Sequence, residues 1–255
     1  MGLQKAPISI VIIVEMGADS MKYVITSQAM MSIPGSPIAY WVGNGFFKIF
    51  KNARLLSDYG DARQGLITGN NERFLRFWHE VVFERTTIAC GEKWSPYDKG
   101  GEYRKWFGNN WLLVNWERNG YEIKNYKDSK GKQLSRPQNV QYYGKESITW
   151  TALTSGSFNG RYSPQGYLFD AKGSSIFPTK ESIWNILSFL NSCVANYILS
   201  VMAPTLDYNA GVIARLPYKD GNNYTGGIAV ICKNIAKLDW DSFEISWDFK
   251  KHPLI

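Results

Sequence analysis

The sequence predicts an α+β protein, a twisted sheet of mixed or mostly antiparallel strands with helices packed against it. Three observations carry that expectation. From Tyr59 to about Phe177 the chain runs in short apolar or aromatic segments, WLLVNW, SITW and YLFDA among them, divided by Gly, Asn, Pro and Ser clusters, which is the texture of strands and turns. Behind it, Ile183, Ile186, Leu187, Leu190, Val194, Tyr197, Ile198 and Val201 form one stripe at helical spacing, read as a single helix from Thr179 to Met202 that is opened by Pro178 and Thr179 and stopped by Pro204. The 255 residues, 44% of them hydrophobic, suffice for a substantial core.

The remaining elements follow in order. ISIVIIV, Ile8 to Val14, is too short to cross a bilayer and is cut off by Glu15 with no cleavage site after it, so it reads as a buried strand rather than a signal segment. IPGSP, Ile33 to Pro37, is a turn, and a helix is expected from about Gly45 to Leu56. Asn125 to Asn139 is polar and lysine-rich and reads as an exposed loop, either merely solvated or facing a polyanion. After LPY, GGIAVICKNIAKL is a strand or a helix, and the chain closes on the aromatic, acidic DWDSFEISWDFKKHPLI, which reads as a segment that continues in a longer polypeptide.

Several chemistries lack their residues. Cys90, Cys193 and Cys232 are odd in number, widely spaced and without CxxC, which argues against a disulfide framework or a zinc site and fits a reducing cytoplasm. His79 and His252 lie far apart, with no histidine and carboxylate cluster for a metal. No nucleophile elbow, phosphate-binding loop, dinucleotide fingerprint or Pro-Pro pair of an amino-methylating site occurs. Asp239 and Asp241 sit in a polar setting that offers no desolvation for acid and base work.

Recognition fits better. The net charge of +7 and the 15% aromatic content, with ten tryptophans, suit a polyanionic partner such as nucleic acid. KWSPYDKGGEYRKWFGNNWLLVNW, Lys93 to Trp116, brings cations, glycines and rings together. Lys99, Arg104 and Lys105 are candidates for phosphate contact, and Gly100 and Gly101 for close backbone approach. Trp111 and Trp116, in the alternating WLLVNW, read as core anchors instead. TGNNERFLRFW, Thr68 to Trp78, repeats the recipe with Arg73 and Arg76, and Arg161 joins the phosphate set. Asn70, Asn71, Asn109 and Asn110 are candidates for reading base edges.

Taken together, IPGSPIAYWV, RQGLITGNNERFLRFWHEV, the Lys93 to Trp116 string, GSFNGRYSPQGYLFDAKGSSIFP, LNSCVANYILSVMAPTLDYNAGVIARLP and WDSFEISWDFKKHPL resemble the PglX family, adenine-specific DNA methyltransferases of bacterial BREX phage-defence systems. The resemblance runs from about Tyr23 to the last residue and leaves a divergent segment at 1–22. Members are several times longer, so the resemblance implies a TaqI-type target-recognition (specificity) domain at 23–220 and the start of a C-terminal region at 221–255. It implies S-adenosylmethionine as the methyl donor of the full-length family but no cofactor in this chain, whose catalytic residues have no counterpart. The implied partners are double-stranded DNA and the missing methyltransferase domain or other BREX components in the bacterial cytoplasm, with no membrane. A protein-interaction module or split subunit without DNA binding of its own is the alternative, and intact methyltransferase activity a third.

Overall fold

The computed structural model describes residues 9–16, 19–31, 33, 35, 39–89 and 91–255. The chain opens with β1 (Ser9–Met16), antiparallel to β2 (Asp19–Thr26), and continues through α1 (Ser27–Met31). Then come α2 (Asn44–Asn52), β3 (Arg54–Leu55), β4 (Gly60–Arg63), α3 (Asn71–Phe74) and β5 (Leu75–Phe77). The middle of the chain supplies β6 (Trp94–Asp98), β7 (Leu112–Asn115), α4 (Glu117–Lys124), β8 (Ser147–Trp150), β9 (Gly160–Ser163), β10 (Leu168–Phe169) and β11 (Ser175–Pro178). Helices dominate thereafter, with α5 (Ile183–Leu190), α6 (Cys193–Met202), α7 (Ala210–Ala214), β12 (Pro217–Tyr218) and α8 (Asn223–Trp240).

The α+β expectation holds, with the strands dealt into two four-stranded sheets and two two-stranded pairs, β1-β2 and β12-β3, rather than one sheet. The first, in the order β4-β11-β8-β9, is antiparallel throughout. Its inward residues Ile148, Trp150 and Ile176 meet Phe46 and Phe50 of α2, Ile186, Leu187 and Leu190 of α5, Ile198 and Leu199 of α6 and Ile213 of α7 in the larger core. The second sheet, β10-β6-β7-β5, is mixed, because β10 runs parallel to β6. Phe74, Leu75, Tyr97, Val114, Ile123 and Leu168 make its smaller core, closed by Trp116 and Tyr126. SITW is buried at every position because both faces of its strand are covered, which removes the alternation of a half-exposed strand.

The structure corrects several sequence readings. The helix expected over Thr179–Met202 is two helices bent by 63°. Pro178 ends β11, and Ser182 caps α5 by accepting from Trp184 N. At the break, Asn191 Oδ1 accepts from Gly160 N at 2.9 Å and its Nδ2 donates to Gly160 O at 3.0 Å, while Ser192 caps α6 through Ala195 N. A side chain serving a strand backbone and a fresh cap interrupt the helical ladder where the apolar spacing alone continues. Val194 and Tyr197 are accordingly exposed. The helix expected to reach Leu56 stops at Asn52, GGIAVICKNIAKL is helical within α8, and β1 is a strand whose Val11 and Ile13 are exposed rather than buried. The turn at Ile33–Pro37 and Cys90 lie wholly or largely outside the described residues.

One turn needs its glycine. Arg118, Asn119 and Gly120 have φ of 51°, 57° and 71°, so α4 becomes regular only afterwards, and a Cβ on Gly120 would lie 2.5 Å from the Trp116 ring. Trp116 is thereby pressed into the smaller core, the anchor role expected of it, and Trp111 packs on Trp240 with ring centroids 5.6 Å apart. Among the described residues no single helix is long and apolar enough to cross a membrane.

Candidate nucleic-acid interface

The segment from Lys99 to Asn110 connects β6 to β7 and is sewn to its surroundings by main-chain bonds. Trp106 N donates to Gly160 O at 2.8 Å and Tyr162 N to Trp106 O at 2.8 Å, fixing the loop against β9. Gly100 and Gly101 have φ of 89° and 133°, and a Cβ on Gly101 would meet the Asn109 side chain at 3.0 Å. Both glycines are therefore required by the loop itself.

The cations of the loop already have partners. Lys99 Nζ lies 3.1 Å from Asp170 Oδ2 and donates to Asn71 Oδ1 at 3.2 Å. Arg104 Nη1 pairs with Asp239 Oδ2 at 2.8 Å and its guanidinium sits 5.0 Å from the Trp240 ring centroid. Lys105 Nζ donates to Asn191 O at 3.1 Å, satisfying a carbonyl at the end of α5. In the neighbouring segment, Asn70 caps α3 by accepting from Arg73 N, and Asn71 Oδ1 takes Thr68 Oγ1 as well as Lys99. Arg73 pairs with Glu122 at 2.6 Å and lies over Tyr126, whereas Arg76 Nη1 donates to Glu72 O and Leu75 O and faces Trp94. The bond from Lys99 to Asn71 joins these two segments.

Four of the expected site residues are inside the protein, Gly100 among them. Arg161 is 1% exposed, and its Nη1 donates to Asn159 Oδ1 at 2.6 Å. Asn109 Nδ2 donates to Glu102 O and Asn110 Nδ2 to Tyr167 OH, and both asparagines are buried. Asn109 and Asn110 are 4% and 5% exposed.

Around Arg161 lies a buried polar network that the sequence analysis missed. Burial pushes the Asp98 carboxyl up to about 6, against the opposing effects of a hydrogen bond from Ser163 and the positive charge of Arg161. Burial likewise lowers Arg161 to about 10, which leaves it charged at neutral pH. Asp170 Oδ2 accepts from Tyr97 OH at 2.7 Å, and burial holds that phenol well above its ordinary range. The partners stand 65 and 73 positions apart in the chain, so no local pattern announces them.

Lys127, Lys130, Lys132 and Arg136 protrude from the lysine-rich loop, and among the described residues none has a carboxylate within 4.0 Å. Arg136 N and Ile67 O hold the loop to the strand region at 2.8 Å, and Tyr126 leads from it to Arg73. These cations thus extend the Arg73 side of the surface. Asp239 and Asp241 are each matched to a cation, Arg104 and Lys237. Among the described residues no group of three or more His, Cys, Asp or Glu side chains is placed to hold a metal ion.

Partly exposed cations lie on the connections of the two larger sheets, and sequence comparison gives the class: the chain is similar to part of adenine-specific methyltransferases. It is 37% identical over 236 residues to the adenine-specific methyltransferase PglX of Lacticaseibacillus casei (strain Zhang), and 39% identical over 230 residues to the adenine-specific methyltransferase BrxX of Escherichia coli O9:H4 (strain HS). Each match takes in 88% of this chain but only 20% and 18% of the relative. The chain is a PglX-like region, spanning about a fifth of the length of the curated relatives it matches. No family model matches it.

Proposed function

We propose that this chain is the DNA-binding target-recognition region of an adenine-N6 methyltransferase of the BREX phage-defence type. The observation that carries the proposal is the similarity over 88% of the chain to adenine-specific methyltransferases. The reaction needs a partner region that finds duplex DNA, and the excess of seven positive charges supports that task here. In this reading Lys99, Arg104, Lys105, Arg73 and Arg76 hold phosphates, and Asn70 and Asn71 face the bases. The ion pairs of Arg73 and Arg104 are exposed enough for a phosphate to replace the carboxylate, because such pairs are weak and screened by salt. Lys127, Lys130 and Lys132 join them as cations without a competing acid. Arg161, Asn109 and Asn110 act as scaffold. Methyl transfer and S-adenosylmethionine belong to a catalytic part supplied by further polypeptide, with residues 23–220 as the recognition domain and 221–255 as the start of the next region.

The test is binding to a fluorescent duplex followed by anisotropy at several salt concentrations. A linear fall of log affinity with log salt supports the reading, and affinity indifferent to salt refutes it.

A further inference from the structure

Helix α8 carries an apolar stripe that nothing among the described residues covers. Tyr224, Ile228, Ile231, Ile235 and Leu238 recur at intervals of four, three, four and three residues, which sets them on one face. They are between 38% and 77% exposed. The opposite face is the one the fold uses, since Gly226, Ala229 and Trp240 are buried and the helix lies along α5. A single exposed isoleucine is ordinary, but five large apolar side chains in a row form a patch of the kind that marks an interface. The alternating interval is that of a seam between two packed helices. Gly227, Cys232 and Asn234 flank the stripe and are uncharged, and the one carboxylate beside it, Asp239 at its C-terminal end, is paired with Arg104, so the face selects mainly for shape and apolarity.

The relatives are much longer than this chain. About four fifths of each lies outside the matched region, whereas this region brings a ready-made helical seam with no helix opposite among the described residues. We infer that the α8 stripe docks an amphipathic helix supplied by the part of a PglX-type methyltransferase that lies outside the matched region, so that α8 fastens this region to the rest of the enzyme. The inference goes beyond DNA binding and does not depend on it.

The experiment co-expresses this chain, tagged, with E. coli BrxX from which the matched residues have been excised. The wild-type chain should bring the excised protein into the soluble fraction and co-purify with it at equal stoichiometry. Ile231→Asp with Ile235→Asp should reduce recovery by about tenfold or more. Alone, the double variant should keep its melting temperature within about 2 °C and its DNA affinity, because both side chains are exposed. If it does not fold, Tyr224→Lys with Leu238→Lys tests the ends of the stripe in the same way. Light scattering of the wild-type chain by itself should report a monomer. Equal recovery with folded variants would overturn the inference. An excised BrxX that stays insoluble or unbound beside the wild-type chain would do the same, as would a dimer of this chain that the substitutions dissociate, which would make a second copy the occupant.

Discussion

Asp98 is buried among Ser163, Arg161 and the main chain of β6, and its carboxyl is raised from 3.8 to about 6. The direction fixes the sign of a pH effect. Between those two values the unfolded chain has lost the proton while the folded chain keeps it. The contribution of Asp98 is therefore fully present below about pH 4 and is lost as pH rises to 6, by about 3 kcal/mol on the scale of 1.4 kcal/mol per unit. Asp98→Asn should lack that segment of the stability profile, measured by denaturant unfolding from pH 4 to 7. Profiles of the two proteins that run parallel would show that Asp98 is not desolvated. Gly101→Val should lose stability before affinity, read as a lower melting temperature, because its φ of 133° and the nearby Asn109 side chain leave no room for a branched residue. At this scale the sequence was a partial guide. Lys99, Arg104 and Arg73 are on the surface as their chemistry suggests, but Arg161, Asn109 and Asn110 carry the same chemistry and are buried. Residue type does not encode exposure: Arg161 and Asn109 bond near neighbours, Asn159 and the Glu102 carbonyl, and only Asn110 reaches a distant partner, Tyr167.

The two helices α5 and α6 are where local pattern and tertiary structure diverge. Apolar spacing continues across Asn191 and Ser192, and only the cap chemistry of Ser192 marks the stop. Asn191→Ala should cost roughly 1 to 3 kcal/mol, because it takes the side-chain partner from the buried N–H of Gly160 and one of two donors from its carbonyl, which still accepts from Trp106 N. Leu190→Ala should cost roughly 2 to 5 kcal/mol, since its side chain is fully buried in the larger core, whereas Val194→Ala should change little. Chemical denaturation of the three variants checks the contrast, and a Val194 effect as large as that of Leu190 would restore the single continuous helix. Strands were more legible than their pairing. SITW and WLLVNW were readable from β-branched and aromatic runs, yet the division into separate sheets and the parallel β10 arise from long-range contacts that one sequence does not display.

At the scale of the whole molecule, the chain corresponds to about a fifth of its methyltransferase relatives, and the proposed division of labour follows. The purified chain should transfer no labelled methyl group from S-adenosylmethionine to DNA and show no thermal shift with that donor, while incorporation of label would assign it catalysis of its own. The central claim, that the β6–β7 connection rests on the DNA backbone, is tested most directly by the salt dependence of duplex binding for the wild type and for Lys99→Ala, Arg104→Ala and Lys105→Ala combined, with melting temperature followed in parallel. If each cation neutralises a phosphate, the slope of log affinity against log salt should flatten by roughly 2 to 3, and affinity should fall about equally for every DNA sequence. A folded triple variant that keeps the wild-type slope would contradict the assignment and return these cations to their partners Asp170, Asp239 and the carbonyl of Asn191 as purely structural groups.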